Sequence, residues 1–241
     1  MKKNISQQLL EFIENSPTCF HAVQAMTDIL SAEGFTELKE NQKWHIENGG
    51  RYFVTRNGSS LTAFTVPFQE MKGMHIIASH SDSPSFKIKE NPELESEGHY
   101  IRLNVEGYGG MIRAPWFDRP LSVAGRVIVK DKAQGGFRSI LVDIGRDLVM
   151  IPNLAIHMDR QINDSCKYNI QKDMLPIYGD LSAKGTFMKL IADTAGVPEE
   201  EILGHDLFLY NRQKGTVWGA SGEFLSCSRL DDLQCAFASL K

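Results

Sequence analysis

Met74-His75-Ile76-Ile77-Ala78-Ser79-His80-Ser81-Asp82-Ser83-Pro84 sets a short apolar run directly before a serine-rich loop carrying a histidine and an aspartate two residues apart. The run Met74 to Ala78 has the length and apolar character of a buried strand. In open α/β sheets the functional crevice lies beyond the carboxyl ends of the strands, which is where this loop would stand. There His80 could bind a metal through one ring nitrogen. Asp82 could accept the other ring N–H, fixing the tautomer and raising ligand basicity. The same residues also read as a Ser/Asp loop that caps a helix, with His80 merely exposed, and the spacing by itself leaves both readings open.

Upstream, Ile5, Leu9, Phe12 and Ile13 recur on one helical face until Ser16-Pro17 stops the run. Thr18 can cap a second helix carrying Ala22, Val23, Met26, Ile29 and Leu30, ended by Gly34. Residues 51–56 and 60–66 then flank Asn57-Gly58, a strong hairpin signal. Downstream, from about Lys89 to Trp218, the texture is mostly β. Glycines separate runs such as Arg126 to Val129 and Ile140 to Ile144, and one helix is predicted over Thr186 to Ala195, closed by Gly196. A further short helix can start at Pro198. Finally Leu233, Ala236, Phe237 and Leu240 mark a helix that begins near Asp231-Asp232 and is still in progress at Lys241, so a continuation of the chain beyond Lys241 is expected. Asp231 at its start reads either as an N-cap or as a carboxylate bridging two metals about 3.5–4 Å apart. In the second case Arg229 would keep it ionised.

The bulk numbers exclude several classes. With 42% hydrophobic and 23% charged residues in 241, the chain has an ordinary globular composition and enough length for one large domain or two modest ones. A net charge of −4 argues against a nucleic-acid partner. The basic N-terminal stretch Met1 to Gln8 has no apolar segment behind it, so no signal peptide is read there. No run of about 18 apolar residues suggests a membrane span. Cys19, Cys166, Cys227 and Cys235 are scattered and read as reduced thiols, consistent with the cytoplasm.

Other polar positions are less telling on local grounds. His157, after the apolar run Ile151 to Ile156, reads most simply as a structural histidine. Trp116-Phe117-Asp118-Arg119 reads as a packed aromatic pair beside an Asp/Arg salt bridge. Gly107-Tyr108-Gly109-Gly110 lacks the Lys-Ser/Thr of a phosphate loop.

In order, the segments Gly34-Phe35-Thr36-Glu37-Leu38, Tyr52 to Asn57, Ser79-His80-Ser81-Asp82-Ser83-Pro84, Tyr108-Gly109-Gly110, Trp116 to Leu121, Ala124-Gly125-Arg126-Val127, Ile151 to His157 and Arg229-Leu230-Asp231 make a more specific pattern than any one alone. The chain resembles the aspartyl aminopeptidase family, peptidase family M18, over essentially its whole length. The resemblance implies an α/β zinc-peptidase catalytic domain, with a mixed sheet between helices, interrupted by a β-rich insertion and dimerisation domain. It implies a cytoplasmic metalloaminopeptidase with two Zn2+ per site that removes N-terminal, preferably acidic, residues from peptide substrates and assembles as a dimer-based dodecamer. Carried over, His80 is a metal ligand, Asp82 the catalytic carboxylate that orients it, and Asp231 the carboxylate bridging the metals. His157 is an insertion-domain histidine that reaches a neighbouring subunit's site, binding substrate or metal. Two departures stand out. Asp232 follows Arg-Leu-Asp where the family usually has Asn, a minor change in local charge. The family's Glu-Glu pair, a further Asp and a C-terminal His have no counterpart here.

The expected organisation is therefore a first catalytic segment over 1–89, an insertion domain over 90–218, and the start of a second catalytic segment over 219–241. A reading from another class is an inactive fragment acting only as an oligomerisation module. A third is a different His-x-Asp metallohydrolase such as a phosphoesterase, against which stands the lack of a metal-motif partner for His21, His45, His75, His99 and His205.

Overall fold

The computed structural model of the chain describes residues 4–132 and 135–241. Residues 1–3, where the N-terminal stretch considered above begins, and 133–134 lie outside that description. Along the chain run α1 (Ile5–Glu14), α2 (Cys19–Ala32), β1 (Thr36–Glu37), β2 (Arg51–Arg56), β3 (Ser60–Thr65), β4 (Ser85–Ser96), β5 (Tyr100–Tyr108), β6 (Leu121–Lys130) and β7 (Phe137–Asp143). Then follow α3 (Ile170–Asp173), β8 (Ile177–Asp180), α4 (Phe187–Ala195), β9 (Ile202–Asn211), β10 (Thr216–Trp218), β11 (Phe224–Ser226) and α5 (Leu230–Leu240). The chain divides into two compact units, one of Met1–Ser83 with Lys214–Lys241, the other Pro84–Gln213.

The first unit is helical with a small mixed sheet. Asn4 and Gln7 form a reciprocal capping box that starts α1, Asn4 accepting the Gln7 N–H at 2.8 Å and Gln7 the Asn4 N–H at 3.3 Å. Thr18 stands at the N-cap position of α2, but its hydroxyl hydrogen-bonds with His21 Nδ1 at 2.8 Å and makes no cap bond. A nearby imidazole outcompetes the backbone for it. The predicted hairpin is present as β2 and β3 in antiparallel register, its turn at Asn57 and Gly58 taking the positive φ values of 54° and 62° that these residue types tolerate. β1 adds a parallel partner on β2. Phe12, Ile13, Ala22, Val23 and Met26 of the first helices pack with Leu233, Ala236 and Phe237 of α5, burying the apolar stripes that the periodicity marked.

The run Met74 to Ala78 is not the buried strand its composition predicts. The segment is irregular, and Ile76 is 81% exposed. An apolar run becomes a strand only where a neighbour completes its ladder and covers its face. Among the described residues this segment has no ladder partner.

The second unit is built on a six-stranded sheet in the order β7-β6-β9-β4-β5-β8. All the pairings within it are antiparallel. Its core gathers Phe86, Ile88, Leu103, Val105, Leu121, Val127, Leu207 and Leu209 from the strands, with Phe187 and Ile191 of α4 packed on them. Gly125 allows β6 and β9 to close up, since a Cβ there would stand 2.0 Å from the Asp206 carbonyl oxygen. Register slips on β4 between Ile88 and Glu93, where Pro92 has no N–H to give the ladder. Just past it the Glu93 carboxylate accepts the N–H groups of Gly185 at 2.6 Å and Phe187 at 2.8 Å, so the N-terminus of α4 is capped from β4. The aromatics of 116–117 do not pair with each other as expected. Trp116 meets Phe86 edge-on at 5.0 Å and Phe117 meets Tyr168 at 4.6 Å. Nor do their polar neighbours bridge: in a turn where Asp118 takes a φ of 56°, Asp118 accepts the Asn153 N–H and Arg119 donates to Gln213. Among the described residues no helix is long and apolar enough to cross a membrane.

Candidate metal centre

His80, Asp231 and Asp232 meet within the first unit. His80 lies in the irregular loop that follows the hairpin, and the aspartates open α5. That loop is tied at three points. Ser81 donates to the Ser59 carbonyl at 3.3 Å, the Ser79 and Ser239 hydroxyls pair at 3.2 Å, and the His80 backbone N–H donates to Asp232 Oδ2 at 3.1 Å. α5 is seated by its buried Leu233, Ala236 and Phe237, with the Phe237 ring 5.6 Å from that of Phe12. Arg229, at positive φ, donates its guanidinium to the carbonyls of Ile13, in the last turn of α1, and of Ser16 just beyond it, which fastens the start of α5 to the first helix.

The His80 ring is oriented from one side. Nδ1 lies 3.1 Å from the Asp82 carbonyl oxygen and 3.2 Å from Asp82 Oδ1. Nε2 then faces the two aspartates, 3.6 Å from Asp231 Oδ1 and 3.7 Å from Asp232 Oδ2. Those separations are too long for hydrogen bonds. They are close to the roughly 3.4 Å edge of a tetrahedral shell built with metal–ligand bonds of about 2.1 Å. The three residues can each offer one ligand atom, all within 4.8 Å of one another. One imidazole nitrogen and carboxylate oxygens are the donor types zinc accepts, so the residues present fit that ion.

Electrostatics favour a cation. Burial works against charging His80, but the hydrogen bond to the Asp82 carbonyl and the charges of Asp232 and Asp82 outweigh it, and the imidazole pKa rises above 6.5. The Cys235 thiol and the His80 N–H, both donating to Asp232, hold its carboxyl below 3.8 against the opposing effect of burial.

Two residues differ from their local reading. The cap of α5 is not Asp231. Arg229 stands at the N-cap position without a side-chain cap bond, and Asp231 projects outward with its side chain 76% exposed. Asp232, which sequence reasoning set aside as a small change in charge, is the carboxylate that joins α5 to the His80 loop. Two adjacent acids at a helix start were the only signal for it, and that signal is shared by ordinary caps. His157 lies in the second unit, exposed in a turn closed by the Met158 N–H on the Ala155 carbonyl at 2.8 Å, so it is not the satisfied buried histidine of its local reading. The cluster in the first unit does not include it.

Residues 12–241 match the family described as "Aminopeptidase I zinc metalloprotease (M18)". A "Probable M18 family aminopeptidase 2" of Clostridium acetobutylicum is 47% identical over 241 residues, covering 98% of this chain and 56% of that protein. The solved structure of Chaetomium thermophilum mApe1 superposes with a TM-score of 0.89 at 34% identity, covering 98% of this chain and 57% of that one. The S. cerevisiae mApe1 dodecamer gives 0.83 at 30%, with 98% and 55% covered. The chain thus spans little more than half the length of the relatives it matches.

Proposed function

Because the chain belongs to the aminopeptidase I zinc metalloprotease family M18, we propose that it carries one part of a two-zinc aminopeptidase centre, with His80 as ligand, Asp231 as the bridging carboxylate and Asp82 as the residue that orients His80. The observation that carries this reading is the convergence of His80 Nε2 on Asp231, 3.6 Å apart although the two lie in different segments of this unit, Met1–Ser83 and Lys214–Lys241. When bound, zinc supplies Lewis-acid polarisation of a scissile carbonyl and activation of water at neutral pH. The residues of this chain do the positioning. Asp82 holds Nδ1, which leaves Nε2 as the ligand atom, and Asp231, its side chain 76% exposed, sets Oδ1 3.6 Å from that nitrogen. The general base and remaining ligands are supplied outside residues 1–241, and the preferred substrate is a peptide with an N-terminal Asp or Glu.

His157, exposed between Leu154, Ile156 and Met158, serves a neighbouring subunit's site, contacting substrate or metal in a cytoplasmic homo-oligomer. The dodecameric S. cerevisiae relative supports the oligomer. The domain reading of 1–89, 90–218 and 219–241 has support from the two compact units, whose junctions at Ser83/Pro84 and Gln213/Lys214 fall within several residues of those limits.

The test is metal content. After dialysis against zinc the purified chain should retain the ion, and His80→Ala and Asp231→Ala should lose it. An assembly that takes up no zinc and ignores chelators favours the oligomerisation module instead. Chelator-sensitive hydrolysis of an aspartyl or glutamyl arylamide by residues 1–241 alone would overturn the placement of the base outside them.

A further inference from the structure

Asp231 and Asp232 are neighbours in sequence but are used differently. The Asp231 side chain is 76% exposed and that of Asp232 only 16%. Asp232 accepts the His80 backbone N–H at 3.1 Å through Oδ2. The shielded carboxylate of Asp232 is thus committed to the loop, while that of Asp231 is left open to a cation.

We infer that Asp232 is a positioning residue of the His80–Asp231 centre, clipping the His80 loop to the start of α5. The inference rests on the reading of His80 and Asp231 as zinc ligands. Without the clip, the N–H that aligns the imidazole loses its acceptor, and the hydroxyl contacts of Ser79 and Ser81, at 3.2 and 3.3 Å, are left to hold the loop less firmly. An amide oxygen at position 232 accepts the same N–H without being a good zinc ligand. This conservative variant separates positioning from ligation.

The experiment is a zinc titration of the 241-residue chain by calorimetry, with folding followed by circular dichroism. Asp232→Ala should weaken zinc binding by about 10–100-fold, the usual effect of losing a residue that orients a ligand. Asp232→Asn should retain most of the affinity. Should Asp232→Ala not fold, the Asn variant decides: affinity near that of the unsubstituted chain supports positioning, and a loss of about 10-fold or more overturns it. Equal losses in Asp232→Asn and Asp232→Ala would make Asp232 a ligand and overturn the inference, as would an unaltered affinity in Asp232→Ala. Zinc bound equally by every variant overturns this inference alone. No zinc bound by the unsubstituted chain overturns the functional reading together with it.

Discussion

At the scale of single residues, the His80–Asp82 partnership was legible because it is local. Two residues of separation put a carboxylate within reach of Nδ1 whatever the rest of the fold does, and the structure has them 3.2 Å apart. Asp82→Ala should therefore free the ring and weaken zinc binding by about tenfold, measurable by competition with a chromogenic chelator. The roles of Asp231 and Asp232 were not separable in the same way. Both stand at a helix start, where any carboxylate is favoured, and only the position of the His80 loop tells which one holds that loop and which faces outward. Gly125 is the other position where one atom decides. Its missing Cβ makes room for the Asp206 carbonyl on the neighbouring strand. Gly125→Ala should cost about 2–4 kcal/mol by forcing β6 and β9 apart, read from urea denaturation.

At the scale of elements, helices and the hairpin were readable because their signals are short-range: 3.6-residue apolar spacing, Asn57-Gly58 at the turn, Gly196 at φ 68° after α4. The run 74–78 shows the limit. Its composition suits a strand, but pairing is a property of two segments, and the partner is not written in the run. The capping of α4 was also hidden, because its acceptor comes from β4. Glu93 takes the Phe187 N–H at 2.8 Å while Thr186, at the N-cap position, makes no cap bond. Glu93→Ala should destabilise the second unit by about 1–2 kcal/mol, and Thr186→Ala much less through the cap, in parallel thermal melts.

At the scale of the whole molecule, the two units should respond differently to pH, because the buried histidine belongs to one of them. His205 on β9 has neither ring nitrogen hydrogen-bonded among the described residues, and burial lowers its pKa below 6.5 despite the opposing charges of Glu90 and Asp206, with Lys87 adding to the lowering. The unfolded chain therefore binds this proton more readily than the folded one. The stabilisation is complete above 6.5 and declines as pH falls from there toward the folded value. Asp206 acts in a separate, more acid window. Lys87 and Arg126 hold its pKa below 3.8 against burial, so its contribution is present above that value and is lost only below it. Denaturant melts of the chain at about pH 7.5 and about pH 5.5 should show the second unit weaker at the lower pH, and His205→Leu should remove most of that difference. By itself, the sequence determined the helices, the hairpin, the β-rich middle, the family and the His80–Asp82 pair, since each depends on neighbours in the chain or on a pattern of short segments. Only the tertiary structure decided that the 74–78 run stays unpaired, that Glu93 caps α4 and that Asp232, not Asp231, ties α5 to the His80 loop. Each of those depends on which distant donor reaches a carboxylate or a ladder first, and no local spacing records that.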